Sequence, residues 1–392
     1  MNRATPFPDL AAETRRRPPR LHIFAILWPS LLCAVAAHAG QATTNKFAGK
    51  KTIITFDAPG AGVGPATGTL ALNINTAGTI VGYYVDDDFL CHGFVRAGGG
   101  GFTEFDAPGA GTNSNQGTFA EGINDAGDVA GYYIDKENIY HGFVFADGAI
   151  SPFDAPDAGT AANEGTFGIH ISSKGSVVGG YIDGNKANHG LVLTASGDLT
   201  EFDVSAAGTG TKQGTFPVGI NTKGTISGYY VDASGLSHGF VRTRNGKITT
   251  FDVSGAGTNA GAGTVARDID TAGDIVGFYI DTSLTHHGFV RAADGTVTTF
   301  DVRGAATGAG LGTYAFGINN AGLVAGEWVD TNRSAHGYQR AATGKIVKFN
   351  SVDGGTGDDQ GTHPNGSPNK SGAITGYVLD DNNVDHGFLF SK

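Results

Sequence analysis

A histidine followed by glycine recurs seven times along the 392-residue chain, at intervals of 48 to 50 residues, and an aspartate lies six residues before each histidine. Imidazole and carboxylate side chains together are the groups that hold metals and carry out general acid–base catalysis. The repeated pairs are therefore candidates for either chemistry. They are Asp86 and His92, Asp135 and His141, Asp183 and His189, Asp232 and His238, Asp281 and His287, Asp330 and His336, and Asp380 and His386.

The regular spacing of the pairs argues for a structural role. Equivalent positions on neighbouring packed sheets are roughly 10 Å apart, whereas zinc needs nitrogen ligands at about 2.0 to 2.1 Å. A ring of these histidines cannot share one metal ion. We expect each aspartate to cap a turn and each histidine to hydrogen-bond within its own repeat.

The remaining chemical candidates are weak. Cys91 precedes His92, but neighbouring residues of a strand face opposite ways, so we expect a small buried or half-buried side chain and no dyad. His286, beside His287, is expected to be exposed and inert. Serine and threonine never occur in a nucleophile-elbow context, and the glycine-rich stretch at residues 255–263 does not open a helix, which excludes a dinucleotide loop. No catalytic residue is assigned.

The repeats divide into four strand-like segments, A to D. In the second repeat these are GTFAEGIN, DVAGYYI, HGFVFA and AISPFD. Glycine, asparagine and aspartate stand at each reversal, where they supply positive φ or bracket their own backbone. A polar, glycine-rich linker of about ten residues leads from each D segment to the next Gly-Thr.

Seven repeats of four antiparallel strands predict an all-β chain folded as a seven-bladed β-propeller. The phase of the repeats favours a ring over a linear stack. The chain starts with a lone D segment at residues 51–57 and ends with a lone A-B-C set, so the N-terminal strand can complete the last blade and leave no long unpaired edge. Pro364 and Pro368 predict that the A strand of the last blade is broken.

The recurring motifs G-I-N-x-x-G, G-Y-Y-x-D, H-G-F and F-D resemble those of the HAF-repeat family of probable extracellular repeat proteins. The resemblance covers residues 51–392. It implies an exported bacterial repeat protein with a propeller-like fold, and it brings no catalytic residues.

The start of the chain has the pattern of a secretory signal. Arginines at 15, 16, 17 and 20 precede an apolar run at residues 21–37, and Ala37-His38-Ala39 forms a small-residue cleavage site. We predict a signal peptide at residues 1–39 cleaved after Ala39, a short linker at 40–50 and one propeller domain at 51–392. The mature protein is then secreted, to the periplasm or the cell exterior.

Charge and cysteine content limit the partners. Removing the predicted signal takes away five arginines and two acids and moves the formal charge from −11 to −14. Phosphate backbones and anionic lipids need clustered lysine and arginine, so nucleic acid and membrane are poor partners. One cysteine remains, which excludes an internal disulfide. We expect a monomer without a cofactor.

The loops of units seven and one, adjacent in the predicted ring, are rich in aspartate, the residue type that calcium prefers. Calcium binding is possible, but no complete calcium-loop pattern is present. The D–A linkers and B–C turns emerge on one face, the long-loop face. We predict a secreted binding module that recognises a glycan, polymer or protein on this face, with a polysaccharide lyase or hydrolase and a structural surface protein as alternatives. The candidate binding residues are Asp86, Asp87, Asp88, Asp358, Asp359, Asp380, Asp381 and Asp385.

Overall fold

The computed structural model describes residues 42–46 and 51–391, and within them the chain is all-β. These residues form 29 strands and no helix. Accordingly, no helix in the described part of the chain is long and apolar enough to cross a membrane.

The strands form seven four-stranded antiparallel units in which A pairs with B, B with C and C with D. The A strands are β3 (Gly68–Ile74), β7 (Thr118–Ile123), β11 (Gly165–Ile171), β15 (Gly214–Ile220), β19 (Gly263–Ile269), β23 (Gly312–Ile318) and β27 (Gly361–Asn365). The B strands are β4 (Ile80–Val85), β8 (Val129–Ile134), β12 (Val177–Ile182), β16 (Ile226–Val231), β20 (Ile275–Ile280), β24 (Val324–Val329) and β28 (Ile374–Leu379). The C strands are β5 (Cys91–Arg96), β9 (Tyr140–Ala146), β13 (Asn188–Leu193), β17 (Ser237–Arg242), β21 (His286–Arg291), β25 (Ala335–Arg340) and β29 (Asp385–Ser391). The D strands are β6 (Phe102–Phe105), β10 (Ala149–Phe153), β14 (Leu199–Phe202), β18 (Ile248–Phe251), β22 (Val297–Phe300), β26 (Ile346–Phe349) and, for the last unit, β2 (Thr52–Phe56).

The glycine that opens each A strand joins its unit to the preceding one. Gly165 forms a parallel bridge with Tyr140, the residue just before the motif histidine of the second unit. Its φ is +115°, and a Cβ atom there would lie 2.2 Å from the Tyr140 carbonyl oxygen. Only glycine fits such a close approach in this backbone conformation, which explains why Gly-Thr opens every repeat.

The threonine of Gly-Thr anchors the linker that precedes it. The hydroxyl of Thr166 accepts a hydrogen bond of 2.8 Å from the backbone N–H of Ala155, eleven residues earlier. The side chain is fully buried, so the bond satisfies a donor that water cannot reach. The same contact occurs from Ala58 to Thr69, Ala107 to Thr118, Val204 to Thr215, Val253 to Thr264, Val302 to Thr313 and Ser351 to Thr362.

Asparagine side chains in the A–B turns link successive units. The Asn75 amide caps its own turn by accepting from Thr79 N–H at 3.0 Å, and it donates to the Asn124 carbonyl of the next unit at 3.1 Å. The link also runs from Asn319 to Asn369 and from Asn369 back to Asn75. Residue 172 is serine and residue 270 is aspartate, which explains why the amide link is interrupted at those turns.

The two ends of the described chain meet. Strand β2 pairs antiparallel with β29, with Ile53 opposite Phe390 and Phe56 opposite Gly387. Ile53 is fully buried and packs in one cluster with Phe388 and Phe390. Gly68 of the first unit bridges to Asp385 of the last. Pairing therefore runs from unit to unit and returns from the seventh to the first.

Two sequence-based expectations differ from the structure. The predicted linker at 40–50 contains strand β1 (Ala42–Lys46), which pairs antiparallel with β2 on the side away from β29. The last A strand is shortened rather than broken: β27 includes Pro364, which lies opposite Gly376 in the β27–β28 ladder. Proline is tolerated there because an A strand pairs along one side for most of its length.

The units have two distinct ends. The D–A linkers and B–C turns lie at one end, the long-loop face, and the A–B and C–D turns lie at the other, the short-turn face. The A strands line the middle. Counted from the glycine of Gly-Thr, the fourth residue is small or compact in every unit, and Ala71, Ala120, Ala266 and Ala315 are fully buried there. Small side chains let the units approach closely around the central cavity described below.

Candidate functional site

The repeated aspartate caps its B–C turn. Asp86 Oδ1 accepts hydrogen bonds from the backbone N–H groups of Asp88 and Leu90 at 2.9 and 2.8 Å. Asp135, Asp232 and Asp380 make the same pair of bonds in their own turns. This Asx-type bracketing is the reason that aspartate recurs at the position.

The repeated histidine joins two carboxylates at the long-loop face. In six units its Nδ1 atom lies 2.7 to 3.0 Å from the aspartate of the F-D motif at the end of strand D. Its Nε2 atom lies 3.1 to 3.8 Å from the turn-capping aspartate in all seven units. The F-D partners are Asp106, Asp154, Asp203, Asp252, Asp301 and Asp57. Each histidine thus fixes strands B, C and D at one end of its unit.

The sixth unit departs from this scheme because Asn350 replaces the F-D aspartate. His336 Nδ1 lies 2.8 Å from Asn350 Nδ2, and its Nε2 lies 3.1 Å from Asp330. An amide N–H can only donate, so Nδ1 accepts and the proton is assigned to Nε2, which donates to Asp330. This tautomer explains the shortest of the seven Nε2 contacts.

The surroundings of four of the repeated histidines, His92, His141, His189 and His386, raise the pKa of the imidazole and favour its charged form. Burial opposes the charge on His92, but the Nδ1 hydrogen bond to Asp106 and the negative charges of Asp106 and Asp86 outweigh it, so the pKa of His92 is raised. For His386, the hydrogen bond to Asp57 is the main cause of the raised pKa. In six units the imidazole also stacks on an aromatic ring of strand B, at 4.2 to 5.0 Å between centroids. The contacts that hold these imidazoles therefore come from their own unit.

The candidate aspartates of the predicted acidic face differ in their contacts and in their exposure. Asp87 Oδ1 accepts from Val63 N–H at 3.0 Å, and Asp358 accepts from Arg333 Nε at 2.8 Å. Asp88 and Asp381 are exposed, while Asp359 is half-buried. Within residues 42–46 and 51–391, no group of three or more histidine, cysteine, aspartate or glutamate side chains has an arrangement that could hold a metal ion.

Asp385 does not belong to that face. It is the first residue of β29, is 2% exposed, and lines the central cavity. Its neighbour His386 points to the F-D aspartate instead, because successive strand residues alternate in direction. The expectation of a loop position for Asp385 is therefore wrong: the turn ends at Val384.

His286 also differs from the expectation of an exposed, inert side chain. Its ring stacks on Tyr314 at 4.3 Å between centroids, and the Tyr314 hydroxyl lies 3.1 Å from its Nδ1 atom. It packs between the fifth and sixth units. Cys91, at the equivalent position of the first unit, is 6% exposed, and burial raises the pKa of its thiol well above the ordinary value.

One small cavity does lie at the junction of the last and first units on the long-loop face. It has a volume of about 190 Å³ and is lined by Asp57, Asp380 and His386 together with Val384 and the linker residues 61–63. Asp380 is the one candidate binding residue in its wall. The cavity holds the Asp–His–Asp contacts of the last unit.

A larger cavity of about 420 Å³ lies among the A strands. Its walls include Ala66 and Asn115 from the long-loop face and Gly366 and Ser367 from the opposite end. The fifth residue of strand A, counted from the glycine of Gly-Thr, lines it in every unit. These residues are Leu72, Glu121, Ile169, Val218, Arg267, Phe316 and Asn365.

The seven units provide an internal comparison for this cavity. At the fifth position of strand A, four units carry an apolar side chain, whereas Glu121 and Arg267 are charged and Asn365 is polar. The fold does not require charged side chains at this position, because the same strand position is apolar in four other units. Departures from a local rule mark candidate functional sites.

A second departure lies at the junction of the sixth and seventh units. At the equivalent junction of the first and second units, Tyr83 packs on Phe119 with ring centroids 4.6 Å apart. Here Glu327 Oε2 lies 3.1 Å from His363 Nδ1, with side-chain exposures of 1% and 3%. Burial disfavours the imidazolium, but the hydrogen bond to Glu327 and its charge outweigh this effect and raise the pKa of His363. Both residues line the central cavity.

Glu121 adds a neutral acid to the cavity. Burial raises the pKa of its carboxyl to about 8, against the opposing influence of the Tyr132 hydrogen bond and the positive charge of Arg267. At neutral pH the carboxyl is therefore mostly protonated and can donate a hydrogen bond. The Arg267 side chain lies 5.5 Å from the centroid of the Phe316 ring. A proton donor (Glu121), a cation (Arg267) and an aromatic ring (Phe316) thus line the same cavity.

Asp268 connects the strands that hold Arg267. Its Oδ2 atom accepts from Ile318 N–H in the next unit at 2.9 Å and from the Ser367 hydroxyl. Its Oδ1 atom accepts from Ile269 N–H at 2.8 Å. Three donors stabilise the buried carboxylate, and the bond to Ser367 spans from the fifth unit to the seventh.

The sequence-based reasoning missed the polar groups of this cavity. It searched for residues that recur, and the cavity is lined by the residues that differ between repeats. One signal was available. Side chains alternate along strand A, so its third and fifth residues face the same side, and charged residues occur at these positions in the second, fifth and seventh units.

No protein-family model and no curated protein sequence matches the chain. Among solved structures, the lectin BP39L from Burkholderia pseudomallei matches with a TM-score of 0.53 at 10% identity, over 81% of this chain and 94% of the lectin. A fungal lectin, the six-bladed β-propeller from Aleuria aurantia, matches with a TM-score of 0.43 at 13% identity, over 68% of this chain and 89% of the lectin. A puromycin hydrolase matches with a TM-score of 0.48 at 13% identity, over 83% of this chain and 50% of the hydrolase. At 10% identity the likeness to BP39L is one of fold. Repeated four-stranded antiparallel units that close on themselves through β2 and β29 are the architecture of a β-propeller.

Proposed function

We propose that the protein is a secreted, seven-bladed β-propeller that binds carbohydrate through its central cavity. Seven four-stranded units and the pairing of β2 with β29 support the blade count. The predicted signal at residues 1–39 lies outside the described residues, and secretion rests on its sequence pattern.

The observation that carries the proposal is the composition of the 420 Å³ cavity. Ligand sites combine apolar and aromatic walls with a few convergent polar groups that fix orientation. Phe316 and Tyr83 supply aromatic surface, and Glu121, Arg267 and Asn365 supply donors and acceptors. A sugar ring, with apolar faces and hydroxyl edges, suits such a lining. The structural likeness to a bacterial lectin supports the same ligand class.

A glycan array probed with residues 40–392 tests the proposal. We expect binding that Phe316→Ala weakens at least tenfold, because the ring faces the cavity. The control Asp87→Asn/Asp88→Asn changes only exposed acids of the long-loop face and should leave binding intact. Loss of binding in the control alone would place the site on that face, and an array without any signal would refute carbohydrate binding.

A second function, cleavage of polysaccharide, is favoured by one observation. The cavity combines a carboxyl that is protonated at neutral pH, Glu121, with the buried Glu327–His363 pair. General acid–base catalysis of glycosidic cleavage needs one group that donates a proton and another that accepts one. Incubation with polysaccharides that bind would release reducing ends, and Glu121→Gln would abolish the release. Binding without product formation would leave a pure binding module.

Three further properties stay predictions. Membership of the HAF-repeat family is supported by the seven in-phase motifs. A monomeric state can be checked by light scattering. Calcium binding by the acidic loops predicts a higher melting temperature at millimolar calcium than in EDTA, and an unchanged melting temperature would rule it out.

A further inference from the structure

We infer that the central cavity recognises a sugar carrying a positively charged amino group, such as a unit of a de-acetylated hexosamine polymer. The inference rests on the proposed carbohydrate site and adds the charge of the ligand. It follows from the balance of charged groups in the cavity, from its aromatic walls and from the charge of the whole chain.

Carboxyl groups outnumber cations in the cavity wall. Four acids line it, against three side chains that can carry positive charge, His170, Arg267 and His363. Burial lowers the pKa of His170 and favours its neutral form. The acids are Glu121, Asp268, Glu327 and Asp385. His363 is already paired with Glu327 at 3.1 Å. A cationic ligand restores the balance in a region where water cannot screen charge well.

Two of these acids stand where other units have none. Asp385 occupies the position held by Cys91, Tyr140 and His286 in other units, and Glu327 takes the place of an aromatic side chain. Both are at most 2% exposed. Buried carboxyl groups cost stability compared with well-packed apolar residues, so their presence beside a cavity points to a ligand that uses them.

The aromatic walls fit a cation as well. Tyr83 and Tyr377 line the cavity beside Asp385, and the negative charge of Asp385 contributes to the raised pKa of Tyr83. An ammonium group near aromatic faces gains cation–π attraction, which is stronger where water is excluded. The same rings pack against the apolar face of a sugar.

Arg267 is the group that opposes a cation, and its position limits its effect. It is adjacent in sequence to Asp268, and the charges of Asp268, Glu121 and Glu327 all act to stabilise its guanidinium. Burial nevertheless lowers its pKa. We assign Arg267 to the ligand hydroxyls, with the amino group on the side of Glu327 and Asp385. The net charge of −11 on the chain also attracts cations.

Calorimetry with matched oligosaccharides tests the inference. We expect glucosamine tetramers to bind at least tenfold more tightly than N-acetylglucosamine tetramers at pH 6 and low salt, and glucuronate oligomers not to bind. Glu121→Gln should reduce the preference, because Glu121 then cannot ionise beside the ammonium group. Glu137→Gln, on an exposed turn, is the control.

A second measurement follows the proton that Glu121 releases when the ligand binds. Titrations in buffers of different ionisation enthalpy should show proton release when the amino sugar binds to the native chain, and none in Glu121→Gln. Equal binding of the acetylated and free tetramers would overturn the inference but leave carbohydrate binding standing. Preference for glucuronate would overturn it in favour of Arg267 as the main determinant. No binding of any tetramer would refute both proposals.

Discussion

Glu327 accepts a hydrogen bond from His363 in the interior of the junction between the sixth and seventh units, where Tyr83 and Phe119 form an aromatic contact at the equivalent place. Removing one partner of a buried pair leaves an uncompensated charge, at a cost of about 3 to 5 kcal/mol. We therefore expect Glu327→Ala to destabilise the protein by about 3 kcal/mol, measured by chemical unfolding.

The aromatic pair of the other junction supplies the control. The double variant Glu327→Tyr/His363→Phe reproduces Tyr83 and Phe119 and should recover most of the stability lost in Glu327→Ala, since well-packed apolar replacements of buried ion pairs are often neutral. If carbohydrate binding is lost while stability recovers, the Glu327–His363 pair contributes to ligand binding. A double variant as unstable as the single one would contradict this account.

The hydroxyl that anchors each linker can be tested in the third unit. Thr166→Val removes the acceptor of the Ala155 N–H while keeping the shape of the side chain. A buried donor without a partner costs about 1 to 3 kcal/mol, so thermal unfolding should occur at a lower temperature. Thr166→Ser keeps the hydroxyl and should be destabilised less. A larger loss in Thr166→Ser than in Thr166→Val would show that the methyl group, not the hydrogen bond, matters.

The histidine–aspartate pairs predict a pH-dependent contribution to stability. Burial lowers the pKa of His141, but Asp154 and Asp135 raise it above the ordinary value. A pKa raised in the folded state stabilises the fold below about pH 6.5, and this contribution is lost as the pH rises through the folded-state value. Asp154→Asn should cost more at pH 5 than at pH 8, by up to about 1 kcal/mol because Asp154 is half exposed.

An NMR titration of the imidazole signals checks this prediction directly. In Asp154→Asn the pKa of His141 should fall, while that of His386, held by Asp57 in another unit, should stay the same. An unchanged pKa of His141 would mean that Asp135 alone sets its protonation.

Glu121 predicts a pH dependence of the opposite kind to that of an ordinary carboxylate. Its pKa is raised to about 8 by burial, so the folded state keeps the proton while the unfolded state releases it above about pH 4.3. The unfolded state binds fewer protons in this window, and stability therefore falls as the pH rises from about 4.3 to 8. Glu121→Gln should show a flatter dependence of melting temperature on pH, while exposed Glu137→Gln should follow the native profile.

Closure of the ring can be tested by cross-linking. Ile54 and Leu389 lie directly opposite each other in the β2–β29 ladder, and Cα atoms of such partners are about 4.5 to 5.5 Å apart, within reach of a disulfide. Ile54→Cys/Leu389→Cys should oxidise readily and raise the unfolding temperature. The displaced pair Thr52→Cys/Leu389→Cys should not. Equal oxidation of both pairs would indicate that the ends are not held in this register.

The strands and turns could be predicted from the sequence because each signal is repeated seven times. The pairing of β2 with β29 followed from the phase of the repeats, since a lone D segment at the start needs a lone A-B-C set at the end. The partner of the histidine Nδ1 atom was missed, although the F-D aspartate recurs 13 or 14 residues after five of the seven histidines.

The central cavity could not be predicted in the same way. Glu121, Arg267 and His363 occur once each, and their importance depends on which other strands surround the same space. That arrangement is set by the approach of all seven A strands, which no local pattern encodes. Asp385 was misplaced for a related reason, because one residue separates a turn position from a buried strand position.

The pairing of β2 with β29 also sets the order in which the molecule can be completed during synthesis. The ribosome makes residues 52–56 before residues 385–391, which pair with them, so the segment that closes the ring must wait, with its hydrogen-bonding edge open, until β29 has been made. A nascent chain therefore cannot reach its final stability unit by unit. Chaperones that shield an early β segment would favour correct folding, and a product that lacks residues 385–391 would lose the contacts that join its first and seventh units.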